Sequence, residues 1–162
     1  MFDFFFYGTL VDADVRRLVL GRDVLDDTLI PADLSGFCRY AVRRRPYPAA
    51  VPQAGARIDG VIMPGVGLRE AAILSCFEGA DYAAQLCPVT ARADNATGRH
   101  AWVFVASDRV PRADPAWSIV DWRANHKPQF IEIAQSWLDA ISVIEISAAE
   151  QFWREQLDPP EP

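Results

Sequence analysis

Six consecutive residues near the start of the chain, from Phe2 to Tyr7, read Phe-Asp-Phe-Phe-Phe-Tyr. Aromatic side chains at nearly every position are typical of a strand that is buried on both faces, since a strand with one wet face alternates apolar and polar residues. Gly8 ends this run, and Thr9-Leu10 begin a turn. The sequence therefore predicts a strand that other elements must cover on both sides.

Length and charge restrict the class of protein. The chain has 162 residues, which suits one domain, and 51% of them are hydrophobic, as in ordinary globular proteins. The formal net charge of −6 argues against a nucleic-acid partner, because phosphate backbones require a basic face. No apolar run approaches the roughly 18 residues of a membrane span, and the first residues resemble neither a signal nor a transit peptide.

Cysteine and histidine residues are few and scattered. Cys38, Cys76 and Cys87 form no CxxC pair, and His100 and His126 form no paired-histidine motif. We therefore expect free thiols in a reducing cytoplasm, no metal site and no organic cofactor.

Local patterns predict the elements of the first half. Asp12 or Asp14 is expected to cap a helix that ends at Gly21. Beyond it the expected elements are an extended region over 28–44, a non-helical proline-rich stretch over 46–52, and a strand over 57–63 that a Pro64-Gly65 turn ends.

The second half is predicted in the same way. A helix over 68–77 ends at Glu78-Gly79. Strands over 86–92 and 100–106 flank a hairpin loop over 95–98, helical spacing begins after Trp117, and a last short helix covers 148–157. Short, irregularly spaced strands with intervening helices favour an α+β domain around a curled sheet or small barrel. The glycine-rich nucleotide loops are absent.

The first candidate for chemistry is Tyr7-Gly8-Thr9-Leu10. A buried strand that ends in glycine exposes consecutive backbone N–H groups with no Cβ in the way, and these groups can hold a carboxylate or an amide carbonyl. A plain strand-to-helix turn is the structural alternative.

The second candidate is Glu78, which follows an apolar helix and lies between Phe77 and Gly79. A desolvated carboxylate has a raised pKa and suits proton transfer. The alternative is an exposed glutamate at a helix end, although a negative charge is unfavourable at a helix C-terminus.

Other features support either a functional or a structural interpretation. Tyr47 and Tyr82 suit a pocket wall or the edge of a core. The run Arg43-Arg44-Arg45 is interpreted as a solvated strand end, and nothing orients Cys76 toward His100 as a thiol nucleophile. The aromatic residues of the C-terminal part suit core packing, with a substrate groove or a dimer face as the alternative. They are Trp117, Trp122, Phe130, Trp137, Phe152 and Trp153.

The candidates occur in an order that resembles the γ-glutamylcyclotransferase-like (AIG2-like) family. The family's N-terminal signature is similar to residues 5–10 here, its second block to Tyr47-Pro48-Ala49 and the glycines that follow, and its third block to Leu74, Phe77-Glu78-Gly79 and Tyr82. Two positions depart from the family pattern: Ser75 stands where Asp is frequent, and Ala84 stands where Arg is frequent.

This resemblance implies a small mixed β-barrel with peripheral helices, here assigned to residues 1–110, and a C-terminal helical extension over 111–162 packed on it. It implies release of 5-oxoproline and a free amine from a γ-glutamyl amine or amino acid. Glu78 would be the general acid/base, and the substrate would bind at residues that the resemblance names. They are Tyr7, Gly8, Thr9, Leu10, Tyr47 and Tyr82.

Two other functions stay open at the level of sequence. Ser75 and Ala84 favour a non-catalytic protein that binds a small molecule in the same cavity. An enzyme acting on a different small amide is the other alternative. In either case we expect a small-molecule ligand and a monomer or homodimer, with no nucleic acid and no membrane as a partner.

Overall fold

The structure is a computed structural model that describes residues 1–93, 98–113 and 117–157. Within these ranges it contains six strands and five α-helices. The strands are β1 (Phe2–Phe6), β2 (Ile30–Val42), β3 (Pro48–Val66), β4 (Tyr82–Ala91), β5 (Arg99–Ala106) and β6 (Arg112–Ala113). The helices are α1 (Ala13–Leu20), α2 (Leu68–Glu78), α3 (Ile119–Asn125), α4 (Lys127–Ala140) and α5 (Val143–Leu157).

Five of these strands close into a barrel. They follow the order β3-β1-β5-β4-β2, and β2 pairs again with β3. The β1–β5 pair is parallel and the other neighbours are antiparallel, so the barrel is mixed. The short strand β6 pairs with β2 outside this closure. The α+β class and the mixed barrel with peripheral helices are therefore confirmed.

Strand β1 separates two hydrophobic clusters. Phe5 and Tyr7 lie with the inward-facing residues of the barrel strands. Phe2, Phe4 and Phe6 point the other way and pack under the helices. This alternation is the period-two geometry of a strand, and it explains why nearly every position of β1 is aromatic: both faces are covered by protein.

Capping residues set ends of the helices α1 and α2. The Asp12 carboxylate accepts a hydrogen bond from the Asp14 amide (3.1 Å) at the start of α1, and Gly21 ends this helix at φ 68°. Gly79 ends α2 at φ 76°, a left-handed conformation that favours glycine. The predicted caps are thus confirmed, with Asp12 and not Asp14 as the N-cap.

The predicted Pro64-Gly65 turn is wrong. Strand β3 continues to Val66, and the pairing with β1 shifts register between Phe2 and Phe4. Gly65 adopts φ 73°, so the Pro-Gly pair forms a bulge within the strand. A bulge uses the same turn-forming residues as a chain reversal, which is why the local pattern alone was misleading.

Three other bounds differ from the predictions. Strand β4 begins at Tyr82 and helix α5 at Val143, in both cases earlier than predicted. The proline-rich stretch is non-helical, as predicted, but from Pro48 onward it belongs to β3. The predicted hairpin loop over 95–98 lies, except for its last residue, outside the described residues.

The C-terminal helices pack against the outer face of β1. The Trp153 ring is fully buried, with centroids 4.9 Å from Phe2, 5.2 Å from Phe4 and 4.9 Å from Trp102. Trp122 is equally buried. Most of the C-terminal aromatic residues therefore form core. None of the described helices combines the length and the apolar character that crossing a membrane requires.

Candidate active site

A cavity of about 390 Å³ opens at the end of β1. Its walls come from the turn after β1, the end of α2, the start of β3 and the junction of α4 with α5. This volume lies within the range of small-molecule sites.

Every site residue named from the sequence lies on the wall of this one cavity. Glu78 and the turn over residues 7–10 are far apart in sequence. Both line the cavity because the C-terminal ends of β1 and α2 lie beside it. The set comprises Tyr7, Gly8, Thr9, Leu10, Tyr47, Glu78 and Tyr82.

The turn after β1 is tightly packed and internally bonded. A Cβ on Gly8 would lie 2.9 Å from the Pro48 Cγ, so the close approach of Pro48 excludes a side chain there. The Val11 amide donates to the Gly8 carbonyl (3.0 Å), and the Asp12 amide donates to the Thr9 carbonyl (3.0 Å). The amides of Thr9 and Leu10 have no acceptor within this turn, as at any helix start. Both residues line the cavity.

Glu78 is the last residue of α2, and its carboxyl group faces a largely apolar wall. Burial raises the pKa of Glu78 from its ordinary 4.5 to about 7. No Lys, Arg or His in the described ranges forms an ion pair with it. A carboxyl group that titrates near neutrality can both accept and donate a proton under physiological conditions.

The tyrosines around Glu78 act as neutral donors and wall residues. The Tyr7 hydroxyl donates to the Phe104 carbonyl (2.6 Å) and accepts from the Ala50 amide (3.1 Å), which places it among barrel groups. The Tyr82 hydroxyl donates to the Pro48 carbonyl (3.1 Å). Burial, and then the nearby Glu78, raises the pKa of both phenols. Neither phenol is therefore ionised at neutral pH.

The cavity carries acidic groups and no basic ones among the described residues that line it. Asp81 and Glu145 join Glu78 on the wall. A negative wall with apolar surroundings attracts a cationic group. Such a field suits a ligand that brings an ammonium group to Glu78.

The outer wall of the cavity contains residues that were not among the predicted site residues. Trp137, Ile141 and Glu145 come from α4, α5 and their junction. The Trp137 ring lies 6.0 Å, between centroids, from Tyr47 and from Phe77. The available signal was the C-terminal aromatic run, for which a substrate groove was the alternative interpretation; part of that run does line the cavity.

Several other candidate functional residues do not come together at the cavity. Cys76 lines the cavity, but His100 lies on β5 opposite Pro88 and does not. Burial raises the pKa of the Cys76 thiol, so the thiolate needed for nucleophilic attack is disfavoured. The run Arg43-Arg44-Arg45 is exposed beyond β2 and contributes nothing to the wall.

The two departures from the family pattern also lie off the wall. Ser75 accepts a hydrogen bond from the Trp153 indole (2.9 Å) and thereby joins α2 to α5. Ala84 is on β4 and packs against the hydrophobic cluster of Phe2, Phe4 and Phe6 under the helices. Neither Ser75 nor Ala84 lines the cavity.

Comparison with known proteins agrees with this geometry. The sequence model of the family described as "Gamma-glutamyl cyclotransferase, AIG2-like" matches residues 4–124. The chain belongs to this family. It is similar to Protein AIG2 C of Arabidopsis thaliana, with 31% identity over 137 residues that cover 83% of this chain and 80% of that protein.

Solved structures share the fold. A solution structure of an Arabidopsis thaliana protein superposes with a TM-score of 0.60 at 26% identity, covering 82% of this chain and 87% of the other. A structure titled "Gamma-glutamyl cyclotransferase" gives a TM-score of 0.53 at 13% identity, covering 93% and 98%. At this low identity the second likeness concerns the fold alone.

Proposed function

We propose that this member of the family is a γ-glutamylcyclotransferase that converts a γ-glutamyl amine or γ-glutamyl amino acid to 5-oxoproline and a free amine. The observation that carries the proposal is the Glu78 carboxyl group, which has a pKa of about 7 and lines the same cavity as the Gly8–Leu10 turn.

The first step is removal of a proton from the substrate's α-ammonium group. An α-amino group has a pKa of about 7.7–8.0, close to that of Glu78, so transfer between them requires little free energy. An ordinary carboxylate near pKa 4.5 would be a much weaker base. The acidic wall around Glu78 favours the arrival of the ammonium form.

The second step is closure of the ring. The freed amine attacks the γ-carbonyl carbon, a C–N bond forms, and the carbonyl oxygen becomes an oxyanion. Backbone amides of the turn stabilise this oxyanion and hold the substrate folded, so that the two reacting atoms are close. The bond to the leaving amine then breaks as that nitrogen takes the proton from Glu78. The ring nitrogen, which is cationic after the attack, passes its second proton through the Glu78 carboxylate to the released amine, so that 5-oxoproline and an ammonium ion leave and Glu78 is ionised again.

The test is 5-oxoproline release, measured by mass spectrometry. The purified protein is incubated with γ-glutamyl amines, γ-glutamyl amino acids and glutathione. We expect release from at least one substrate, and we expect Glu78→Gln to reduce kcat by a factor of about a thousand, since general acid/base groups contribute roughly 10²–10⁴. The best substrate identifies the leaving amine.

A matched control is Glu132→Gln. Glu132 is exposed on α4, so this change removes the same charge away from the cavity and should leave kcat unchanged. A Glu78→Gln enzyme as active as the control would refute the assigned role. Ligand binding without any release would favour the non-catalytic alternative, and release of a different product would favour another amide.

A further inference from the structure

Two arginine side chains donate hydrogen bonds to backbone carbonyls of the turn after β1, which lines the cavity together with Glu78. The Arg39 Nη1 donates to the Tyr7 carbonyl (3.0 Å). The Arg16 Nη1 donates to the carbonyls of Leu10 (3.1 Å) and Val11 (2.7 Å). Two guanidinium groups therefore bind three carbonyl oxygens of one five-residue segment.

The other two carbonyl oxygens of this segment, those of Gly8 and Thr9, accept amides within the turn. Every carbonyl from Tyr7 to Val11 is thus bonded. Because a trans peptide is planar, the N–H group of the next residue points opposite to each carbonyl. Fixing the Tyr7 carbonyl on Arg39 accordingly fixes the direction of the Gly8 amide, and Gly8 lines the cavity.

The placement of these two arginines is energetically unusual. The Arg16 side chain is fully buried and pairs with the exposed Asp26, and the Arg39 side chain is 22% exposed and pairs with Asp59 (2.9 Å). Each has a buried Nε with no partner among the described residues. Burying a guanidinium has a desolvation penalty, and packing alone would be served by an apolar side chain.

The charge of the cavity gives these arginines a function. Its described walls carry three carboxyl groups and no basic side chain, yet a γ-glutamyl substrate carries an α-carboxylate beside its α-ammonium group. We propose that Arg39 and Arg16 are positioning residues that hold the turn with its amides free and supply the positive potential that lets an acidic cavity accept a substrate carboxylate. This inference rests on the proposed function and identifies how that site recognises its substrate.

Binding of the product tests the inference without any turnover. Titration calorimetry compares 5-oxoproline with 5-oxoprolinamide, which has the same shape but no negative charge. We expect Arg39→Gln to weaken binding of the acid about tenfold, the size of one lost charged interaction, and to change binding of the amide less than twofold. Arg39→Lys, which keeps the charge, should recover part of the loss.

Arg57→Gln is the matched control, because Arg57 is 69% exposed, pairs with Asp33 and makes no contact with the turn. Arg16→Lys tests the role of Arg16, the buried one of the two arginines, in the same binding assay. Urea unfolding verifies that this variant is folded. In the assay of release, Arg39→Gln should raise KM by a larger factor than it lowers kcat, since its main effect is on binding of the carboxylate.

Several results would overturn the inference: equal loss of acid and amide binding in Arg39→Gln, no loss of either, or a wild-type protein that binds neither ligand. These outcomes are separate from the proposed function. Charge-selective binding that depends on Arg39, without 5-oxoproline release from any γ-glutamyl compound, would support the positioning role and refute the enzyme. Release of 5-oxoproline by a protein that binds acid and amide equally well would support the enzyme and refute the positioning role of the arginines.

Discussion

The carboxyl groups of Asp12 and Glu78 have opposite electrostatic environments. The Asp12 carboxylate forms ion pairs with the Arg123 Nε (2.8 Å) and the Lys127 Nζ (2.9 Å). Burial alone would raise the pKa of Asp12, but the hydrogen bonds and charges of Lys127 and Arg123 hold it below its usual value. Glu78 has no such cation in the described ranges, and burial raises its pKa to about 7.

The difference separates the structural role of Asp12 from the chemical role that we propose for Glu78. Asp12 caps α1 and joins it to α3 and α4, so it stays ionised and stabilises the packing of the C-terminal helices. Glu78 is destabilised when ionised, because nothing compensates its charge. A destabilised, unpaired carboxyl group in a cavity is typical of a functional site.

Replacing Asp12 with Asn should destabilise the fold at neutral pH. Asparagine keeps the N-cap acceptor but removes the anion that Arg123 and Lys127 share. Because Arg123 is 48% exposed and Lys127 keeps its pair with Asp14 (2.6 Å), we expect a loss of about 2 kcal/mol, between the values for a surface pair and a fully buried pair. Urea unfolding at neutral pH measures this. The control is Asp23→Asn, which removes an exposed pair with Arg17 and should cost less than about 1 kcal/mol. Equal losses in the two variants would mean that the Asp12 pairs are no stronger than surface pairs.

The stability contributed by Glu78 should depend on pH with the sign opposite to that of Asp12. The unfolded chain releases the Glu78 proton near pH 4.5, and the folded chain keeps it to about pH 7. Ionisation therefore favours unfolding increasingly through this window, by about 3 kcal/mol above it. Asp12, with a lowered pKa, contributes stability that is lost as the pH falls through its folded pKa below about 4.

Unfolding curves of the wild type and Glu78→Gln from about pH 4 to about pH 8 measure this difference. The variant should match the wild type in stability at the acid end and exceed it at the alkaline end. A constant difference across the range would show that the carboxyl group of Glu78 is not desolvated.

The sequence predicted the parts of the site that depend on local chemistry. Glycine at a strand end, a glutamate after an apolar helix and tyrosines beside prolines are each visible as residue types, and the resemblance joined them into one site. Their convergence on one cavity, and the acidic character of its wall, depend on barrel closure, which no local pattern specifies.

Residues that act through tertiary contacts were not predictable in this way. Arg16 and Arg39 look like ordinary charged positions in a helix and a strand, and only the fold brings them behind the turn. Trp137 belongs to an aromatic run that is mostly core, so its place on the cavity wall could not be distinguished from that of Trp122. The prediction of a turn at Pro64-Gly65 was wrong for the same reason, because the pairing of β1 with β3 overrides a local turn signal.

The smallest expected effect concerns Ser75, one helical turn before Glu78 on α2. Ser75→Asp introduces the residue that the family pattern often has at this position, and its oxygen can still accept the Trp153 indole that Ser75 binds now. Like charges one turn apart destabilise each other by about 0.2–0.5 kcal/mol, which should raise the pKa of Glu78 by about 0.2–0.4.

Carbon-detected NMR titration of the Glu78 carboxyl group measures this change, with Ser75→Asn as a control of the same shape without charge. A higher pKa in Ser75→Asp alone would mean that a second carboxylate tunes Glu78 but is not required for its raised value. If the pKa instead fell, the new carboxylate would have changed the packing of α2 against α5, and burial of Glu78 would depend on the hydrogen bond between Ser75 and Trp153.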